Sequence, residues 1–296
     1  MELLSAFPGA IAQGLIWGIM AIGVYITYKI LDVADLTVDG SICTGAAVCT
    51  VLAVKGINIY VCILAAIVVG MIAGAVTGII HTALGIPAIL AGILTQLILW
   101  SVNLKIMGKA NISLSARSFK VLLTQMNINS SIVVLLIFSV VLVAILYWFF
   151  GTERGCSVRA TGSNPNMSRA QGINTNVNIV LGLMISNGIV SLAGALLAQY
   201  QGFADINMGK GAIVIGLAAV IIGEAVFSKI AKNFAVKLLA VLAGGIIYYI
   251  VYQVIIFLGI DTDLLKMLSA LVVVVFLGLP YVKKHYFLTL KKGGND

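Results

Sequence analysis

The sequence predicts an all-α protein: a polytopic bundle of transmembrane helices with about nine spans. Three observations carry that expectation. Hydrophobic residues make up 61% of the 296-residue chain and charged residues only 9%, with a mean hydropathy of +1.14, whereas a soluble domain carries about a quarter charged residues. The apolar residues gather into nine runs, most of them near the ~20 residues a helix needs to cross the hydrocarbon core. The period-2 alternation of a membrane β-barrel is absent, and only closed barrels and helices satisfy their own backbone in lipid.

The runs cover 9–28, 37–54, 58–83, 86–107, 131–150, 175–201, 209–225, 235–258 and 264–282. The first follows Met1-Glu-Leu-Leu-Ser, which lacks the basic start of a cleavable signal peptide, so it is expected to remain as a helix. The third carries Gly70, Gly74 and Gly78, a small-xxx-small stripe that lets another helix backbone approach closely. Pro87 starts the fourth, in a first-turn position that needs no N–H.

The second and seventh runs are short and unlike the rest. One opens ADLTVDGS from Ala34, the other ADINMGKG from Ala204, and the latter breaks again at Gly216 and Gly223. Two short, glycine-broken segments in corresponding places are the pattern of an inverted-topology repeat, with the pathway between them. The pathway candidates are therefore Asp35, Asp39, Gly40, Asn187, Gly209, Gly211 and Gly216. Asp35 and Asp39 are expected to cap the N-terminus of the short helix that follows them, where the macrodipole favours a carboxylate, or else to touch a ligand. Other polar residues inside the runs, Gln96, Asn103, Gln199, Gln253 and Glu224, suit interhelical hydrogen bonds or substrate contact, with Glu224 expected to pair with Lys229 or the arginine-rich loop.

That loop, Gly151 to Ile173, is the longest polar interruption, with Arg154, Arg159 and Arg169 against Glu153. Its arginines assign it to the cytoplasm. Lys29, these arginines, Lys229, Lys232, Lys237 and the four lysines of the 283–296 tail then share its side, while seven cations from Lys55 to Lys266 face the other, which puts the N-terminus outside and the C-terminus inside. The basic tail suits attraction to anionic lipid. Gly162-Ser-Asn-Pro165 reads as a turn, and Asn166 to Gly172 as a short helix ended by its glycine.

Several chemistries are excluded. The chain has no G-x-x-x-x-G-K-[ST] phosphate loop, no H-E-x-x-H, and only two isolated histidines, His81 and His285. No cofactor or metal is expected. Cys43, Cys49, Cys62 and Cys156 form no C-x-x-C pair and suit packing. The formal charge of +8 comes from cations flanking apolar runs, without clustered stacking aromatics, so nucleic acid is not an expected partner.

The polar loop also carries a resemblance. Arg159-Ala-Thr-Gly162-Ser-Asn164-Pro165, followed by Ala170-Gln-Gly172-Ile173, resembles the pattern R-A-x-G-x-N-P-x-A-A-x-x-x-G-I of ABC-importer permeases of the branched-chain amino acid and simple sugar type. Ser186-Asn-Gly188, Ala193-Gly-Ala195, Gly209-Lys-Gly211 and Ala218 to Gly223 extend it, and Met167-Ser168 departs from it where the family has alanines. The resemblance implies inverted halves and a coupling helix in 151–174 that docks on a separate cytoplasmic ATPase through Arg159, Gly162, Asn164, Pro165, Ala170 and Gly172. It further implies a cell-membrane location, and a second permease copy, or a similar chain, beside it. An extracytoplasmic binding protein would hand over solute near Asp205–Lys210 and the Lys109–Gln125 connection. The Asp35–Ser41 stretch is similar to permeases grouped with tryptophan/tyrosine importers, which implies an amino acid, aromatic ones included, ahead of a sugar or nucleoside. The alternative is a secondary transporter or channel working alone; it calls for carboxylates well inside a span, and the carboxylates here lie near run ends.

Overall fold

The computed structural model describes residues 2–258 apart from 115–118, 120, 229 and 232, together with positions 267, 270, 271, 274 and 278. The chain is mostly helical. α1 (Glu2–Tyr25) runs on through a π-helical turn to Ile30, and α2 (Val38–Val54), α3 (Ile59–Ala83) and α4 (Ala88–Met107) follow. A short strand β1 (Asn111–Ser113) then precedes α5 (Ile128–Gly151), α6 (Glu153–Ser163), α7 (Pro165–Ala170) and α8 (Thr175–Gln201). Strand β2 (Phe203–Asp205), α9 (Ala212–Phe227) and α10 (Phe234–Phe257) complete the described chain.

Eight of the nine apolar runs coincide with these helices; the ninth, 264–282, is described only at those five positions, and Arg117, Lys120, Lys229, Lys232, Lys266 and the 283–296 tail lie outside the described residues. The expected count of nine spans is not confirmed by the described residues. Six helices among the described residues are long and apolar enough to cross a membrane, whereas α2 and α9 are not. With 17 and 16 residues they reach only ~25 Å at 1.5 Å per residue, against a core of ~30 Å.

Burial sorts the long helices. The apolar windows of α1 and α8 are 83% and 72% buried, whereas those of α4 and α5 are 28% buried. α8 is the central post, packed on α1, α2 and α3, while α10 closes against α1 and α9. The glycine stripe of α3 explains its contact with α8: a Cβ on Gly70, Gly74 or Gly78 would fall on Asn187 and Ser191, on the Leu183 carbonyl, or on Val180. Pro87 sits one position earlier than expected, as the N-cap of α4, and His81 Nδ1 lies 2.7 Å from the Ile86 carbonyl at the end of α3. β1 and β2 pair antiparallel, Asn111 opposite Asp205, and so join the two segments expected at the outer face.

Candidate functional site

α2 is short because it starts inside the bundle. The chain leaves α1 at Ile30, turns at Asp32 (φ 55°, the αL region that aspartate tolerates better than most residues), and re-enters as Leu31–Leu36 before α2 begins. The level of that start is fixed by Asn187, twelve residues into the 27-residue α8 and so ~18 Å along it. Asn187 Nδ2 donates to Asp35 Oδ2 (2.7 Å), and Asp35 Oδ1 accepts from the Thr37 backbone N–H (2.9 Å). Ser41 Oγ donates to Asn187 Oδ1 (2.6 Å), Ser191 Oγ donates to the Ser41 carbonyl (2.8 Å), and the Thr37 and Thr77 hydroxyls are 2.8 Å apart. All six residues are at most 2% exposed. Asp35 is thus not near the end of a span, as its place in the sequence suggests, but at the middle of the bundle. Its oxygens are occupied by hydrogen-bond donors, as a buried charge requires.

Asp39 departs from the sequence reading in another way. It does not cap its own helix; its Oδ2 accepts from Gly211 N–H and its Oδ1 from Ile213 N–H, both at 2.9 Å, so it caps the N-terminus of α9. The loop before α9 rests on the first turn of α2: Gly209 N–H donates to Cys43 Sγ (3.1 Å), and a Cβ on Gly209 would fall on the Asp39 carbonyl. From this junction the two short helices diverge. α2 runs alongside α8 through Ser191 and on to Gln199, whose Nε2 lies 3.6 Å from Cys49 Sγ. α9 runs the opposite way, until Glu224 reaches Lys29 at 2.9 Å; of the expected partners, the arginine loop makes no ion pair with it among the described residues, and Lys229 lies outside them. Asp205 Oδ1 accepts from Asn207 N–H (2.7 Å), the same i to i+2 bond that Asp35 makes with Thr37.

The structure therefore brings together Asp35, Asp39, Asn187, Gly209 and Gly211. It places Gly40 against Gln96 and Leu99 of α4, and Gly216 against Met20 and Val24 of α1. Sequence reasoning missed Thr37, Ser41, Thr77 and Ser191. One signal was available, since Asn187 and Ser191 are four apart and share a face of α8. Among the other polar candidates, Gln199 ties α8 to the connection before α5, its Oε1 accepting from Leu122 N–H (3.2 Å), whereas both amide atoms of buried Asn103 lack a hydrogen-bond partner among the described residues.

The polar loop is two helices, not a turn and one helix. Thr152 caps α6, its Oγ1 accepting from Gly155 N–H (3.3 Å). α6 then runs straight through Gly162, where a turn was expected, because the missing Cβ lets this face lie on the Ile30 carbonyl at the end of α1. The contact outweighs the roughly 1 kcal/mol that a helical glycine costs. The break falls on Asn164 alone (φ −156°, ψ 94°), whose Oδ1 caps α7 at Met167 N–H (3.0 Å) with Pro165 at the first helical position. Gly172 follows in the left-handed region (φ 79°) and ends the short helix as expected. Asn164, Pro165, Met167, Ala170 and Gly172 are exposed. Arg159 is exposed as well and lies over the Phe234 ring, 5.5 Å from its centroid. Beneath α7, Arg169 Nε donates to Thr175 Oγ1 (2.9 Å), and Asn178 Nδ2 donates to Ser157 and Thr161 (2.6 and 2.9 Å), so the pair of helices is bound to the start of α8.

Comparisons with known proteins find relatives along nearly the whole chain. The family described as branched-chain amino acid transport system / permease component matches residues 8–277. The chain is 41% identical over 274 residues to a tyrosine transport system permease protein of Clostridioides difficile, covering 93% of this chain and 91% of that one. It is 35% identical to an uncharacterized protein of Rickettsia prowazekii, over 93% of this chain and 97% of that one. An autoinducer 2 import system permease protein of Yersinia pseudotuberculosis is 29% identical over 74% of this chain and 62% of its own. No solved structure matches significantly.

Proposed function

The chain belongs to the branched-chain amino acid transport permease family, and from that premise we propose that it is the membrane-spanning subunit of an ATP-driven importer whose solute is an amino acid, tyrosine and other aromatic ones first. The observation that carries the reading is the likeness, along nearly the whole of both chains, to a protein named for tyrosine transport. The chain is a multi-pass membrane protein. Its N-terminus lies outside, its C-terminus in the cytoplasm, and ATP hydrolysis belongs to a separate ATPase subunit.

In this reading α7 is the coupling helix. Asn164, Pro165, Ala170 and Gly172 are the exposed positions the ATPase grips, while Gly162 and Arg159 pass the movement to α1 and α10 through Ile30 and Phe234. α2 and α9 are the corresponding discontinuous helices of an inverted repeat, supported by their opposite directions, by the matching Asp35 and Asp205 bonds, and by Asp39 joining their N-termini. Such half-helices flank the pathway of many transporters near the bilayer midplane. The β1–β2 ribbon receives the extracytoplasmic binding protein, and a second permease copy completes the path.

The test is co-purification from native membranes in mild detergent, followed by uptake of labelled tyrosine into proteoliposomes holding whatever accompanies the chain. Recovery of an ATPase and a binding protein, with uptake that needs ATP, is the expected result. Tyrosine uptake by the chain alone, without ATP, would overturn the reading in favour of a secondary transporter.

A further inference from the structure

A cavity of about 670 Å³ opens where α6 meets the ends of α1, α9 and α10. That volume lies within the ~300–1,000 Å³ of ligand pockets. Its chemistry is lopsided. Lys29, Arg159 and Lys237 line it against the single carboxylate of Glu224, with Tyr25 and Phe234 completing the wall. Glu224 is already taken by Lys29 at 2.9 Å. Arg159 and Lys237 make no ion pair among the described residues. Arg159 lies across the Phe234 ring, so its face is used while its edge, with the N–H donors in a planar fork, is left for an acceptor. Lys237 enters from the first turns of α10, whose N-terminal end adds its own positive potential.

We propose that this cavity binds a phosphate-bearing anion, held by Arg159 through its planar fork and by Lys237 as a point charge. Two unpaired cations around one cavity repel each other, and a phosphate oxygen relieves both at once, which a neutral ligand cannot. The cavity sits at the helix ends level with the arginine loop, and basic pockets between transmembrane helices at a cytoplasmic face suit anionic phospholipid headgroups. A soluble phosphate offers the same oxygens. Because α6 forms one wall and leads directly into α7, an occupied cavity ties the coupling element to α1 and α10. The site is independent of the transported solute.

The experiment uses the full chain in nanodiscs of phosphatidylcholine, or of phosphatidylcholine with phosphatidylglycerol, and reads lipid retained in native mass spectra and the thermal midpoint with and without inorganic phosphate. The lipid source predicts phosphatidylglycerol retained at least tenfold over phosphatidylcholine, and displaced by phosphate. The soluble source predicts that phosphate raises the midpoint with no lipid preference. In either case Lys237→Gln weakens binding at least tenfold and Lys237→Arg keeps it. Lys237 is exposed, so its substitution leaves the fold intact, checked by an unchanged midpoint in phosphatidylcholine alone. No preference for either anion, or binding unchanged in Lys237→Gln, would overturn the proposal.

Discussion

Asp39 offers the sharpest test of how the two short helices are joined. Its carboxylate accepts from Gly211 and Ile213 N–H at 2.9 Å each, two of the unsatisfied donors at the start of α9. Asp39→Ala removes both acceptors and the charge. Loss of a helix cap costs ~1–2 kcal/mol, and loss of a partly buried carboxylate at a helix N-terminus about 1 kcal/mol more, so the variant should be about 2–3 kcal/mol less stable. For a chain of this size each kcal/mol moves the melting midpoint by roughly 2–4 °C, so a fall of roughly 5–10 °C is expected. Asn in place of Asp39 keeps one acceptor and loses the charge, and should fall by about 1 kcal/mol. Hydrogen exchange localises the effect: in Asp39→Ala, the 206–216 peptide should exchange faster while the 186–196 peptide of α8 changes little. Equal midpoints for the wild type and both variants, or faster exchange spread evenly over the chain, would refute the assignment of Asp39 as the cap of a distant helix.

Gly74→Ala places a methyl against the Leu183 carbonyl of α8 and should cost about 1–3 kcal/mol by overpacking, whereas Gly151→Ala, which meets nothing within 4 Å, should be neutral in the same melting assay. Cys156 is the exposed cysteine, the other three being buried, so a membrane-impermeant maleimide should label inside-out vesicles at Cys156 and leave intact cells unlabelled; labelling of intact cells would invert the proposed orientation. Asn164→Ala removes the cap of α7, about 1 kcal/mol of local helix stability. It should therefore reduce ATPase co-purification while leaving the global melting midpoint within about 2 °C, the midpoint shift that corresponds to a fraction of 1 kcal/mol.

How much of this was legible in the chain differs between the two halves of the site. At the α7 end Gly172 was legible in the role it plays, terminator of the short helix, whereas Asn164 and Pro165, which read as parts of a turn, act as its N-cap and first helical residue. Gly162 likewise reads locally as part of a turn, yet it is helical because the end of α1 presses on it, and the exposed Arg159 lies over the Phe234 ring, a contact its place in the chain does not announce. At the bundle centre the Ala-Asp repeat pointed to the two short segments with Asp35 and Asp39, and Asn187 stood out as a polar residue inside an apolar run. Neither could show that Asn187 holds Asp35 or that Asp39 serves α9.

The sequence by itself determined the membrane class, the positions of the helices and the two short segments among them. Those follow from apolar run length and from where glycine, proline and charge interrupt it, which lipid and backbone geometry enforce locally. Tertiary structure alone decided that α2 begins halfway through the bundle, that its first turn supports a helix far along the chain, and which polar side chains answer one another across α2, α3, α8 and α9. A buried carboxylate or a helix end must find a partner, but any of several donors would satisfy it. Which one does so depends on how glycine-lined helices slide together, and that is a property of the packed bundle.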